Sequence, residues 1–350
     1  MQKRALVVYT HPSTFVKGDV EILRQNFRVE EYRFTNNPPG RLPISLVIQK
    51  IFLLFTIYRF DLVYIWFADY HSFLPTLVSH LAGKHCVLVI GGYDVCREKK
   101  YRYGSLSKPL RAFMAISSMK MASDVLCVSA NIARIVGTIA PKANKHVVYN
   151  GIRLPLPGDA KAFDEQDNQQ PAYGNRSVLC VALASTLQSF YIKGIDRYNK
   201  VASKIPDTCF TLVGCTKQVF ELAGIEPAKN LRIIPPIPHD QLYTLYSQSH
   251  VYCQFSRRES FSLSLAEAMY HQMIPVISTA GGMPEVTSGL GYTVYFNDSP
   301  QLCDQSIENA ITAINQALNE PKHPTYQHHI NQHFTLTTRA HQLAAVASLG

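Results

Sequence analysis

Apolar and polar residues alternate along this chain in blocks. Short, mostly apolar runs occupy 4–10, 61–67, 85–90, 125–129 and 145–149, with a more charged segment of the same length at 28–34. Between them lie segments 19–26, 44–58, 72–82, 108–122 and 131–139, longer on the whole, with apolar residues three or four apart. The first set predicts strands and the second helices. Unbroken runs such as DLVYIWF and HCVLVI suit strands buried on both faces of a sheet. Their alternation with helices implies a doubly wound parallel α/β sheet. Residues 155–177 break the rhythm, being rich in Pro, Gln, Asp and Gly and poor in apolar residues; they read as a linker. The rhythm then restarts, with strands expected at 178–183, 208–213, 231–234, 251–255, 275–279 and 292–296. Helices are expected at 193–203, 219–223, 239–249, 263–270, 302–318 and 335–349. The expected layout is a domain over 1–155, a linker over 156–177, a second domain over 178–320 and a tail over 321–350.

Length agrees with this layout, since 350 residues suit two domains of about 150. The eight cysteines are scattered without a CxxC pair, mostly in strand-like runs, as expected of reduced, buried thiols in a cytosolic protein. The opening MQKRALVVYTHP has too short an apolar run for a signal peptide and reads as a first strand. Charge separates the halves. Residues 1–155 hold 21 Lys and Arg against 9 Asp and Glu, while the remainder is slightly acidic. A basic half suggests an anionic partner. Arg97, Lys99, Lys100, Arg102, Lys108, Arg111 and Lys120 crowd one stretch against the single acid Glu98. That stretch reads either as a solvated basic loop or as an anion-facing surface. Residues 44–60, ISLVIQKIFLLFTIYRF, are too short and interrupted for a membrane span. They read either as a buried core helix or as an interfacial helix with Lys50 and Arg59 reaching toward headgroups. No DNA- or RNA-binding motif accompanies the charge, so nucleic acid is not the expected partner.

The candidate chemistry concentrates in 256–287, SRRESFSLSLAEAMYHQMIPVISTAGGMPEVT. Its order is strand end, polar loop, helix, strand and glycine loop. A loop running into a helix presents free backbone N–H groups and the positive end of the helix dipole, which suits an anion. Glu259 and Glu267 are eight residues apart, and eight helical residues span roughly 12 Å. The loop after the first strand, THPSTFVKG, lacks the GxGxxG that a dinucleotide dehydrogenase would carry there.

This stretch, with Glu, seven residues, Glu and then AGG-x-PE, resembles the signature of retaining GT-B glycosyltransferases of the family 4 type (glycosyl transferases group 1). The resemblance is specific over about 175–320 and rests only on topology and turns in 1–150. It implies two Rossmann-like domains facing a cleft, with the last helix returning to the first domain. It also implies that Lys193, in the KG element before Ile195, meets a donor diphosphate, and that Glu259 positions the donor sugar. The N–H groups of Ser260, Phe261, Ser262 and Leu263 would stabilise the leaving phosphate. Glu267 would hold the ribose hydroxyls, Gly281 and Gly282 would approach the sugar, and Ile234 and Ile237 would border the base. Gly18 would border the cleft. Two departures stand out. Gln188 occupies the place of a usual arginine, with Arg258 as the suggested substitute. Gly91-Gly92-Tyr93-Asp94 stands where relatives often carry a histidine, making Asp94 the substitute catalytic contact and Gly92, Tyr93, Lys99, Lys100 and Arg102 acceptor-side candidates.

The expected activity is retaining transfer from a nucleoside-diphosphate sugar to a saccharide or lipid-linked acceptor, in surface polysaccharide, lipopolysaccharide or glycolipid assembly. No DxD motif is present, so neither a cofactor nor an obligatory metal is expected. The expected place is the cytoplasm, on the inner face of the membrane if residues 44–60 dock there. A nucleotide-sugar epimerase, a sugar phosphorylase and a catalytically silent binding protein are the rival readings.

Overall fold

The computed structural model describes residues 2–36, 40–155, 177–297 and 300–347. The chain divides into two compact units, one of Met1–Arg153 with Leu336–Gly350 and the other of Leu154–Thr335. The expected linker lies outside the described residues except for Ser177, which opens a strand.

In the first unit the chain runs β1 (Arg4–Tyr9), α1 (Thr14–Arg24), β2 (Arg28–Arg33), α2 (Leu42–Thr56), β3 (Leu62–Trp66) and α3 (Tyr70–Leu81). It continues through β4 (His85–Ile90), α4 (Pro109–Met121), β5 (Asp124–Cys127), α5 (Ala130–Ile139) and β6 (Lys145–Val147). The six parallel strands are ordered β2-β1-β3-β4-β5-β6. The central strands β1, β3 and β4 are buried almost throughout, as their apolar runs require. The edge strand β2, RVEEYR, is charged and partly exposed, which blunts pairing with another chain. On one face α2 packs on α3 and α3 on α4, as right-handed crossovers demand.

Residues 44–60 form no core helix. On α2 only Gln49 and Leu53 are buried, with Ile57 just beyond, whereas Ile44, Val47, Ile48, Ile51, Leu54 and Phe55 are exposed. Gln49 Nε2 donates to the His71 carbonyl oxygen at 2.9 Å and fixes the helix's rotation about its axis.

The first unit closes with α14 (Leu336–Ala347), which lies on α1. Arg339 pairs with Asp19 of α1, and both are buried. Asp19 also accepts from Tyr64 Oη at 2.7 Å and Trp66 Nε1 at 2.9 Å. Arg339 donates further to the Val148 and Tyr149 carbonyls. A buried charge pair is tolerable only when its remaining hydrogen-bonding capacity is met, and here it is.

The second unit runs β7 (Ser177–Ala184), α6 (Leu187–Ile192), α7 (Ile195–Ala202), β8 (Cys209–Cys215), α8 (Lys217–Ala223), β9 (Leu231–Ile234) and α9 (His239–Gln248). After these come β10 (Val251–Gln254), α10 (Leu263–Tyr270), β11 (Ile274–Ser278), α11 (Met283–Thr287), β12 (Tyr292–Val294), α12 (Pro300–Asn319) and α13 (Pro324–His333). Its six parallel strands are ordered β12-β11-β10-β7-β8-β9. Two expectations need correction. The helix expected over 193–203 is α7, which starts at Ile195, and an unexpected short helix, α6, precedes it, the two divided at Gly194 with its left-handed φ of 68°. An unexpected helix is α13, whose PTYQHHINQH is too polar to show an apolar stripe.

Candidate active site

In the second unit the chain runs from β7 outward to β9, then returns to lay β10 on the other side of β7. Where strand order reverses in this way, the loops leaving two neighbouring strands diverge and open a crevice beyond their C-terminal ends. The loop after β7 leads through α6 to Lys193, and the loop after β10 carries Glu259. Lys193 Nζ donates to Glu259 Oε2 at 2.8 Å.

Lys193 is not at a helix start, as expected, but caps the C-terminus of α6. A cation is favoured there by the helix dipole, so its position is consistent with a purely local role as well as with an anion nearby. Gly194 fixes the approach: a Cβ on it would stand 1.9 Å from the Phe255 carbonyl oxygen. Glu259 is held from several sides. Oε2 also accepts from Gln254 Nε2 at 2.9 Å, and Oε1 from the Ser260 N–H at 3.1 Å. The AGG loop lies directly against it. Gly281 has φ 61°, and a Cβ there would stand 1.5 Å from the Glu259 carbonyl oxygen. The Gly282 N–H donates to that same oxygen at 3.3 Å.

The helix α10 begins at Leu263, so Glu259 lies in the preceding loop and helical rise does not set its distance from Glu267. Ser262 caps α10 with φ 78°, an unusual value for a non-glycine residue. Its hydroxyl donates to Gln254 Oε1 at 2.6 Å and accepts from the Leu265 N–H. Such backbone strain costs of order 1–3 kcal/mol and persists where surrounding bonds impose it. Phe261 is buried against Phe334, so only its backbone can face a ligand. The Ser260 N–H is engaged by the Glu259 side chain, and the groups beyond it at the mouth of α10 are the better placed to receive an anion.

Glu267 is mostly buried on α10, and each of its oxygens has a partner. His239 Nε2 is 2.8 Å from Oε1, and Tyr246 Oη donates to Oε2 at 3.0 Å. Burial raises the Tyr246 phenol well above its ordinary range and keeps it a donor. His271 stacks on Tyr246, and burial pushes its imidazole down to about 4. His239 opens α9 just after the segment holding Ile234 and Ile237. Ile234 is buried and Ile237 half-buried.

The arginines divide. Arg257 makes a two-pronged pair with Asp196 at 2.7 and 2.8 Å and also donates to the Tyr191 carbonyl, which fixes it as a brace between α7 and the Glu259 loop. Arg258, the suggested substitute cation, is exposed beside Glu259. Arg197 is buried over the Phe296 ring and donates to the Phe255 carbonyl.

The candidates in the first unit fare differently. Asp94 is fully buried and accepts from the backbone N–H groups of Ala68, Gly91 and Gly92 at 3.1, 3.2 and 2.7 Å. It therefore ties together the loops after β3 and β4 and presents no carboxylate to a ligand, contrary to its expected catalytic contact. Gly92, with φ 110°, belongs to that turn. Tyr93 packs edge-on against Tyr103 and takes a hydrogen bond from Arg111. Arg111 is held in turn by both Asp69 oxygens, which removes it from the basic run as an anion ligand. Lys99, Lys100 and Arg102 are exposed. Gly18 does not border open space: it is buried in α1, where a Cβ would meet Leu336 Cδ2 at 2.9 Å.

Four residues that contact the two glutamates or close the group around them were absent from the sequence reading: Gln254, His239, Tyr246 and His271. Gln254 leaves a faint signal as the one polar residue ending the strand VYCQ.

Residues 183–332 match the family model described as glycosyl transferases group 1. No curated protein matches the chain by sequence. In fold it is similar to sucrose-phosphate synthase of Thermosynechococcus elongatus, at a TM-score of 0.71 and 12% identity over 98% of both chains. It is similar to HepE of Anabaena in complex with UDP-glucose, at 0.67 and 17% over 99% of both. It is also similar to α,α-trehalose 6-phosphate synthase of Burkholderia multivorans, at 0.68 and 10% over 99% of both.

Proposed function

We propose that this chain, which has a GT-B fold and a group 1 domain in its second unit, is a glycosyltransferase that catalyses retaining transfer of a sugar from a nucleoside-diphosphate sugar. The acceptor in this reading is a saccharide or a lipid-linked saccharide, as in assembly of a surface polysaccharide, lipopolysaccharide or glycolipid. The observation that supports it most is the meeting of Lys193, Glu259 and the Gly281 loop at the switch point of one parallel sheet, with Glu267 one loop away.

The chemistry follows from those groups. The Lys193 ammonium is paired with Glu259. A diphosphate entering at the mouth of α10 would share that ammonium and the N–H groups of the helix start. Both stabilise the charge that develops on the leaving phosphate. Glu259, held by Gln254 and the Ser260 N–H, is fixed to accept a hydrogen bond from a sugar hydroxyl and so orient the ring. Glu267, positioned by Tyr246 and His239, retains lone pairs for a ribose diol. Arg258 stands near enough in sequence to add positive charge at the phosphate. In this reading the leaving phosphate takes the acceptor proton, no covalent glycosyl-enzyme forms and no metal is required.

HepE of Anabaena is described with UDP-glucose, which makes UDP-sugars the first donors to try. The test is a thermal-shift series with UDP-, GDP-, ADP- and CMP-sugars. At a donor concentration of about 100 Kd, one nucleotide class should stabilise the fold by about 2.7 kcal/mol. Lys193→Ala should lose most of that shift. Absence of a shift with every class, with and without added acceptor glycolipid, would overturn the donor reading.

A further inference from the structure

The exposed face of α2 has no counterpart in the transfer chemistry. Ile44, Val47, Ile48, Ile51, Leu54 and Phe55 recur three and four residues apart, and Tyr58 continues the line. This spacing places them on one side of the helix. All seven are more than half exposed, with Phe55 at 82% and Tyr58 at 73%. Scattered apolar residues on a surface are ordinary, whereas a contiguous stripe marks an interaction site. The neighbouring helices of the same layer add exposed Leu81, Leu110 and Phe113.

The charges around the stripe identify what it meets. Arg41 precedes the helix, Lys50 lies on it and Arg59 follows it, all exposed, while Leu42–Arg59 contains no Asp or Glu. Their long stems can lie along an apolar layer while the charged ends reach headgroups. The unit to which the helix belongs is itself strongly basic. An apolar stripe flanked by Arg41, Lys50 and Arg59, the last lying 4.0 Å from Glu30 of β2 yet half exposed, complements an anionic bilayer surface better than a second copy of the same basic face, which would repel it. The helix is apolar enough by composition to cross a membrane. However, its 15 residues reach only about 22 Å against a hydrocarbon layer of about 30 Å. Its inner side is also built into the unit through Gln49, Leu53 and Ile57.

We infer that α2 is a flat-lying membrane-docking helix, with Ile48, Ile51 and Phe55 entering the headgroup–acyl boundary of an anionic leaflet and Lys50 and Arg59 contacting its phosphates. The inference deepens the lipid-linked acceptor of the proposed function. It rests on that reading for the use of the surface, though the docking itself does not require it.

The experiment is flotation of the full chain with vesicles of phosphatidylcholine alone or with about 30 mol % phosphatidylglycerol, at low salt and at about 0.5 M salt. The wild type should float with the anionic vesicles, more weakly at high salt. Ile48→Glu/Phe55→Glu should lower the bound fraction about tenfold or more. Lys50→Glu, a milder change, should weaken binding to anionic vesicles alone. These positions are exposed, and circular dichroism of each variant confirms that it is folded; the salt dependence of the wild type tests the inference without any variant. Equal flotation of wild type and double variant would overturn it, as would no flotation of the wild type. A wild-type dimer that the double variant converts to monomer would overturn it in favour of a second copy. A thermal shift with nucleotide sugars on the same samples separates the two readings. Flotation without a donor shift keeps the docking and removes the donor site; a donor shift without flotation does the reverse.

Discussion

Burial pushes the Asp94 carboxyl up to about 6, although three backbone N–H groups donate to it. The unfolded chain releases this proton near pH 4, whereas the folded chain keeps it to about pH 6. The folded state thus binds the extra proton, so the contribution to stability is fully present below pH 4. It is lost as pH rises through 6, amounting to about 3 kcal/mol. Asp94→Asn cannot ionise, and its urea-unfolding free energy should fall less between pH 4 and 7 than that of the wild type, by about that amount. Parallel slopes would show that the folded carboxyl is already ionised at pH 4. The same residue shows where sequence reading stops. GGYD after an apolar strand places a carboxylate at a strand end, but nothing in the sequence says that it turns inward onto its own loop. Lys193, Glu259 and Glu267 were legible because their spacing matches a known pattern. Their partners Gln254, His239 and Tyr246 were not, because they reach the glutamates only through tertiary packing, across as many as 28 positions for His239.

Among the elements, strands and amphipathic helices were readable from periodicity, while junctions were not. The Gly281 loop between β11 and α11 shows why: it follows the Glu259 backbone, which Gly281 approaches and the Gly282 N–H bonds, and no local pattern encodes this. Gly281→Ala would put a methyl group inside that contact and impose a left-handed φ on alanine, so the loop must move off Glu259. Gly289 offers a matched control, with φ 84° and nothing within 4 Å of a Cβ. Its alanine variant should cost about 1 kcal/mol and retain the donor-induced shift. Gly281→Ala should cost more and lose that shift. Equal behaviour of the two variants in unfolding and in the thermal-shift assay would mean that the loop contact is dispensable. The polar α13 and the short α6 ahead of α7 escaped for related reasons. One lacks an apolar stripe, and the other turns on the left-handed backbone of Gly194.

At the scale of the whole molecule, the β/α rhythm and the interruption near 156 conveyed two similar units, and charge distinguished them. The assignment of α14 to the first unit rests on a buried ion pair between residues 320 positions apart. Arg339→Met would strand the buried Asp19 carboxylate with only Tyr64 and Trp66, and should destabilise the first unit by about 3–5 kcal/mol. A calorimetric scan should show the transition of that unit shifted down and that of the second unit unmoved; movement of both would mean that the pair supports more than its own unit. The same pair orders events during synthesis. Asp19 leaves the ribosome 320 residues before Arg339. At roughly 5–20 residues per second, the first unit waits roughly 10–40 s after Arg153 emerges before its closing helix exists. During that interval the second unit can finish folding, while the half made first holds an uncompensated carboxylate among apolar strands. The N-terminal half is thus completed only after the second unit has been synthesised, and a nascent chain stalled anywhere before residue 339 would present it to chaperones unfinished.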